Sequence, residues 1–319
     1  MANKIVVLDG YVANSGDLSW DELAQLGELV VYDRTPREQV AERAADAFAI
    51  FTNKVVIDKE LLEQMPSLRF IGVLATGYNN VDVVAARRKG VLVCNVPAYS
   101  THSVVQNMWA HLLNITNETA LHNRSVHRGG WVHCQDFSYR LAPIIELAGL
   151  TMGIYGLGAI GSEVAKIANA FGMKVIAYTS KVPWQLPGYI HPVEKKELFS
   201  QSDVLAICST LTAENHHFVD VEALKLMKPS AIILNAARGG LIDSEALAEA
   251  LREGRIFAAG IDVMEQEPPR VDDPLLEEAN CRITPHIAWQ SDVARKALIR
   301  KSAENLKAFM EGNPQNVVN

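Results

Sequence analysis

TMGIYGLGAIGSEVAKIANAFG, residues 151–172, decides the fold. Met152 and Ile154 lie in a short apolar run. Gly156, Gly158 and Gly161 follow with G-x-G-x-x-G spacing, and Val164, Ile167, Ala168 and Phe171 recur at helical intervals. The stretch reads as a buried strand, a glycine turn and a helix. In such a turn the first glycine permits the tight reversal, the second lets backbone approach a pyrophosphate, and the third lets the helix pack close on the strand. Phosphate would meet the free N–H groups of the helix N-terminus around Gly158, Ala159, Ile160 and Gly161, where the helix dipole also favours negative charge. KVIAYTS (174–180) reads as the returning strand. A glycine turn with a purely structural role is the plainer alternative. The strand before and the helix after favour dinucleotide binding.

Working outward, a length of 319 residues suits two domains with full cores. A formal charge of −7 argues against a general nucleic-acid binder, since neutralising phosphates needs a basic face. No run is long and apolar enough to cross a membrane, and MANK leads straight into the strand-like KIVVLDG without the features of a secretory signal. Cys94, Cys134, Cys208 and Cys281 are widely spaced, with no C-x-x-C pair. They are expected to be reduced and buried, which implies a cytoplasmic location and no zinc or other metal site.

The first hundred residues alternate strand and helix signals. KIVVLDG (4–10), ELVVYDR (28–34), AFAIFTN (47–53), LRFIGVLAT (68–76) and VLVCNVP (91–97) are apolar runs, with helix-like segments at 20–26, 37–45, 59–65 and 83–89 between them. Near-continuous apolar strands alternating with helices imply a parallel sheet covered on both faces. No glycine fingerprint occurs here. LATGYNNVD (74–82) ends a strand at Thr76-Gly77. That loop is either a backbone nest for a carboxylate or only a strand-to-helix turn. A long helix is expected over 103–119, then an aromatic-rich irregular loop over 127–143. Strands at 151, 174, 203–209, 231–237, 257–263 and 281–286 make six, the number in a doubly wound dinucleotide fold, and a helix over 291–311 closes the chain.

In open α/β sheets, ligands bind beyond the carboxyl ends of the strands. Arg238 follows the strand AIILNAA, Asp262 ends FAAGID with Glu267 in the loop beyond, and His286 ends CRITPH. Arginine holds a carboxylate through two parallel hydrogen bonds. Histidine exchanges a proton near neutral pH, and a carboxylate beside it fixes its tautomer. Each residue alone has an ordinary structural reading. Their joint occurrence on successive strand ends, after a glycine fingerprint, points to a reacting site. The strand after the fingerprint ends Thr179-Ser180-Lys181 with no acid for the ribose 2′-hydroxyl. Ser180 and Lys181 suit a 2′-phosphate, so NAD and NADP both stay open.

On GLGAIG (156–161), LKLMKPSAIILNAARGGLIDSEAL (224–247), AGIDVMEQEPP (259–269) and TPHIAW (284–289), the chain resembles the D-isomer-specific 2-hydroxyacid dehydrogenases over essentially its whole length. The resemblance implies two Rossmann-like domains. A doubly wound dinucleotide-binding domain (101–289) would be inserted into a smaller flavodoxin-like substrate domain (1–100 plus 290–319), with a cleft that closes on substrate and a homodimeric assembly. It implies His286 as general acid/base, Glu267 as its partner and Arg238 as anchor of the substrate carboxylate and carbonyl. Thr76 and Gly77 would bind the carboxylate. Ala237 and Asp262 would complete the cofactor contacts, Asp262 at the nicotinamide carboxamide. Formate dehydrogenases of the superfamily carry glutamine in place of this glutamate, so Glu267 argues against them. The helix VVQNMWAHLL (104–113) and the loop with Trp131, Asp136, Phe137 and Tyr139 look most like the glycerate dehydrogenase, or hydroxypyruvate reductase, branch. Glyoxylate, D-lactate and phosphoglycerate types are the alternatives, and a dinucleotide-sensing corepressor of the same fold is the alternative from another class.

Overall fold

Five strands open the chain: β1 (Lys4–Val7), β2 (Glu28–Val31), β3 (Ala49–Thr52), β4 (Phe70–Val73) and β5 (Leu92–Cys94). All pair in parallel, in the order β2-β1-β3-β4-β5, which is the flavodoxin-like order. Every residue of β3 and β4 is buried, as both faces of a parallel sheet require. The connecting helices are α1 (Asp21–Ala24), α2 (Arg37–Ala44), α3 (Lys59–Glu63) and α4 (Val83–Arg88). Asp58 and Asp82 start α3 and α4 by accepting the Leu61 and Ala85 N–H groups. The computed structural model describes residues 2–319 and splits the chain into two compact units. These strands belong to the first, which ends at Ser100 and resumes with Trp289–Asn319.

The second unit, Thr101–Ala288, opens with α5 (Thr101–Asn117) and α6 (Thr119–His127). It continues through β6 (Thr151–Tyr155), α7 (Ala159–Ala170), β7 (Lys174–Tyr178), β8 (Ile190–Pro192), α8 (Lys195–Gln201) and β9 (Val204–Ile207). Then come α9 (Val221–Leu226), β10 (Ile232–Asn235), α10 (Ser244–Arg252), β11 (Ala258–Ile261) and β12 (Cys281–Ile283). The sheet order β12-β11-β10-β9-β6-β7-β8 is the doubly wound order with one added strand. The expected count of six was therefore one short. β8 has only three residues, ends in proline and sits at the sheet edge, so it lacks the apolar run that marks a strand in sequence. The helix α6 also went unread. Glu118 adopts φ +46°, which breaks the helix after α5 and resets the periodicity. Tyr155 and Phe218 stack with centroids 3.7 Å apart in the core of this unit.

The chain then returns to the first unit in α11 (Asp292–Met310). Ser291 caps it by accepting the Ala294 N–H, and Phe309 packs on Phe70 of β4 with centroids 5.3 Å apart. Arg295 of α11 makes two hydrogen bonds to Asp17, at 2.8 and 2.6 Å. The guanidinium holds the Asp17 carboxyl down at about 2. The four cysteines are unpaired. Cys94 and Cys281 are buried as expected, whereas Cys134 and Cys208 are half-buried.

Candidate active site

The glycine turn leaves β6 and enters α7 as the spacing predicts. Gly156 has φ +90°, a conformation that side chains resist, and a Cβ there would come within 2.9 Å of Ser209 backbone. A Cβ on Gly161 would lie 2.1 Å from the Gly156 carbonyl oxygen, so the helix rests directly on the turn. At Gly158 the added Cβ would meet nothing within 4 Å. Gly158 is also the N-cap of α7 and supplies no side chain to its first N–H groups. An open space in front of uncapped helix N–H groups is what a pyrophosphate needs, so these residues fit a dinucleotide. Beyond β7, Thr179 Oγ1 accepts the Lys181 N–H at 3.2 Å, turning the loop, and Lys181 is exposed.

Strands β10, β11 and β12 are adjacent and in register, with Asn235 opposite Ile261 and Ile261 opposite Ile283. Arg238, Asp262 and His286 therefore leave the same carboxyl edge, the edge that also carries the glycine turn. The Arg238 turn lies on the next loop. A Cβ on Gly239 would fall 2.0 Å from the Met264 carbonyl carbon, so only glycine allows this approach. Met264 N–H donates to Glu267 Oε1 at 3.1 Å, and His286 Nδ1 lies 2.6 Å from Glu267 Oε2. A carboxylate only accepts, so Nδ1 carries the shared hydrogen, and Nε2 is the ring nitrogen that this pair does not use. Glu267 is thereby fixed at one oxygen and orients the ring with the other. Arg238, half-buried, has its Nη1 2.6 Å from the Ala237 carbonyl.

Three residues that sequence reasoning did not select hold these groups in place. Asn235, buried at the end of β10, accepts the Ala237 N–H and donates to the Arg238 carbonyl. An asparagine at a strand end before Ala-Ala-Arg was the available signal for such a staple. Thr284 donates to Asp262 Oδ1 at 2.6 Å, and His111 of α5 reaches Thr284 Oγ1 from behind at 3.0 Å. Burial lowers the pKa of His111, with Asp262 opposing. No local pattern links residues so far apart in sequence.

Asp262 sits at its strand end as expected, 1% exposed. Its carboxylate accepts from Thr284, from Ile287 N–H at 2.9 Å and from Ala288 N–H at 2.8 Å. Its carbonyl accepts the His286 N–H at 2.8 Å. His286 has φ +55°, and this clamp holds it there. Among four carboxylate acceptor positions, three are filled and one on Oδ2 remains.

Thr76 and Gly77 lie in the first unit, past the end of β4. The Thr76 hydroxyl donates to the Val96 carbonyl at 2.9 Å, and Asn95 Nδ2 donates to the Thr76 carbonyl at 2.7 Å. Among the described residues, the Thr76 and Gly77 N–H groups have no internal acceptor.

Residues 109–288 match the family described as D-isomer specific 2-hydroxyacid dehydrogenase, NAD binding domain. The chain is 47% identical to a hydroxypyruvate reductase of Blautia hydrogenotrophica over 320 residues, covering 99% of each chain. It is 38% identical to a glycerate dehydrogenase of Methylorubrum extorquens, covering 100% of this chain and 99% of that one. Among solved structures, it is similar to an NADPH-dependent glyoxylate/hydroxypyruvate reductase from Sinorhizobium meliloti in complex with NADP and malonate. That likeness has a TM-score of 0.84 at 29% identity, over 99% of this chain and 96% of that one.

Proposed function

The chain belongs to the D-isomer-specific 2-hydroxyacid dehydrogenases, and on that premise we propose that it reduces hydroxypyruvate to D-glycerate. The observation that carries the reading is the His286–Glu267 pair, held on the same strand edge as Arg238 and the open glycine turn. The first unit is assigned as the substrate domain and the second as the dinucleotide domain. Gly156, Gly158, Ala159, Ile160 and Gly161 would hold the pyrophosphate. Thr179, Ser180 and Lys181 would meet the adenosine ribose, and Ala237 and the remaining Oδ2 position of Asp262 the nicotinamide end. When bound, the reduced nicotinamide supplies a hydride to C2 of the 2-oxo acid.

The protein's residues do the rest. Arg238 holds the substrate carboxylate and carbonyl oxygen, and its fixed charge stabilises negative charge developing on that oxygen. The N–H groups of Thr76 and Gly77 take the carboxylate. His286 Nε2–H delivers the proton to the carbonyl oxygen while Glu267, hydrogen-bonded at Nδ1, stabilises the charged ring. In the reverse direction His286 takes the proton back. Hydroxypyruvate is supported by two relatives, a hydroxypyruvate reductase and a glycerate dehydrogenase, each aligned over at least 99% of this chain and 99% of its own length.

Two further assignments rest on particular features. A homodimer is supported by the exposed apolar arm between α6 and β6, where Phe137 is 93% exposed and Trp131 and Ile144 are also exposed. A cytoplasmic location is supported by four unpaired cysteines, and no helix of the described residues is long and apolar enough to cross a membrane.

The test is a panel of hydroxypyruvate, glyoxylate, pyruvate and phosphohydroxypyruvate against NADH and NADPH, with chiral analysis of the product. Highest kcat/KM with hydroxypyruvate, giving D-glycerate, is the expected result. Highest kcat/KM with any other member would overturn the substrate assignment.

A further inference from the structure

We propose that His216, His217 and Glu265 form a binding site for a zinc-class divalent cation, distinct from the His286–Glu267 pair. The two histidines follow a short 3-10 turn (Ala213–Asn215) ahead of α9, and Glu265 lies in the loop after β11. Both imidazoles converge on one oxygen. His217 Nε2 is 3.0 Å and His216 Nε2 3.4 Å from Glu265 Oε1, and the donor atoms of all three residues lie within 4.8 Å of one another. With metal–ligand bonds of about 2.0–2.2 Å, the edges of a tetrahedral site are roughly 3.3–3.6 Å long. Two edges of the triangle, 3.0 and 3.4 Å, are already near that length, and the third lies within 4.8 Å.

The surroundings support ligation as well as spacing. Metal-binding histidines commonly hydrogen-bond a carboxylate through their second ring nitrogen, and Asp243 Oδ2 lies near His217 Nδ1, at an ion-pair distance of 3.8 Å that is longer than a hydrogen bond. The pair is also held before any cation arrives. The rings stack with centroids 3.9 Å apart, and His217 sits at φ +53° with its N–H donating to the Gly240 carbonyl at 2.8 Å. The side chains of His216, His217 and Glu265 are 50%, 34% and 40% exposed. A cation would thus keep water in its fourth position and exchange with solvent, unlike a closed structural zinc. Two imidazoles and one carboxylate suit Zn²⁺ and Co²⁺, whereas Mg²⁺ and Ca²⁺ prefer all-oxygen shells. The expectation of no metal site follows from the spacing of the cysteines, and this site contains none of them.

The competing account is a plain His217–Glu265 hydrogen bond with no cation. The chelator-treated full-length enzyme, titrated with Zn²⁺ by calorimetry and with Co²⁺ by visible absorption, separates the two. One Co²⁺ per chain with the intense visible bands of four-coordinate cobalt is expected, and Mg²⁺ should give no heat. His216→Ala and Glu265→Gln should each weaken binding by at least about tenfold, with NAD(P)H turnover retained in His216→Ala. That retained turnover shows the variant is folded. His286→Ala should bind Co²⁺ as the wild type does. No saturable binding by the wild type, undiminished binding in His216→Ala and Glu265→Gln, or loss of binding in His286→Ala would each overturn the proposal.

Discussion

Both sheets have a first strand that runs into a glycine, and the two turns have opposite contents. After β1, a Cβ on Gly10 would meet Val31, Trp20 and Val7 side chains at 3.0–3.4 Å, so that space is filled by protein. No α-helix starts there, since Gly10–Val12 is a 3-10 turn and α1 begins only at Asp21. The neighbouring residue Asp9, 8% exposed, puts its own carboxylate against the N–H groups of Asn53, Lys54 and Val55 at 2.8, 2.6 and 3.0 Å. The first sheet has thus internalised its anion. After β6 the space at Gly158 is empty, α7 starts at once, and no side chain caps it. Two sheets of one architecture thus differ in what their turns contain: one is filled by protein, and the other has open space before uncapped helix N–H groups.

The comparison can be broken most directly at Gly161. Gly161→Val places side-chain atoms against the Gly156 carbonyl, which is backbone and cannot yield. Cofactor binding, read by NADPH fluorescence, should be lost, and the thermal midpoint should fall by the equivalent of ~1–3 kcal/mol of overpacking. Unchanged NADPH binding would mean that the turn does not hold the dinucleotide.

A pair of alanine variants sharpens the contrast. Gly158→Ala should leave the melting of the cofactor-free protein unchanged and weaken NADPH by about tenfold, the loss of one hydrogen bond to a charged group. Gly10→Ala should do the reverse, lowering the melting temperature by crowding Val31 while leaving cofactor affinity intact. Equal effects of the two on NADPH affinity would refute the distinction drawn between the turns.

The clamp behind His286 gives a third test. Thr284→Val removes a donor from buried Asp262 and the partner of His111, at ~1–3 kcal/mol for the unsatisfied group. The kcat should fall more than KM rises, and Thr284→Ser should restore it. Failure of serine to rescue would assign the loss to packing instead. His111 adds a pH signature. Its folded pKa lies below the ordinary 6.5, so the unfolded chain takes up the proton first as pH falls. Its contribution to stability is complete above about pH 6.5 and is lost progressively below it. His111→Gln should flatten the stability–pH curve in that acidic range, as measured by urea unfolding, and an unchanged slope would exclude the histidine as its source.

The smallest effect is expected at Lys181, which is exposed. Lys181→Ala should reduce kcat/KM for NADPH by no more than about fivefold, the range of an exposed ion pair, and leave NADH unaffected. An equal loss with both cofactors would remove the 2′-phosphate reading.

What was legible in the sequence was local. The glycine turn, the alternation of strands and helices, and the chemistry-bearing residues at strand ends all follow from short-range pattern, and each stands where the spacing put it. What escaped depends on distant contacts or on breaks in pattern. β8 is too short and proline-ended to show a period. α6 is hidden by the left-handed Glu118. His111 and Thr284 meet only through the fold, 173 residues apart in sequence. The anchoring of Glu267 by the Met264 N–H is a backbone contact that side-chain identity does not disclose.

The central claim is that His286, oriented by Glu267, passes the proton that accompanies hydride transfer. The measurement that tests it most directly is hydroxypyruvate-dependent NAD(P)H oxidation by His286→Ala, alongside NAD(P)H binding to the same variant. The account predicts a fall in kcat of roughly 10²–10⁴-fold, the usual contribution of a positioned acid, with cofactor affinity preserved. Turnover at the wild-type rate in a variant that still binds the cofactor would contradict it.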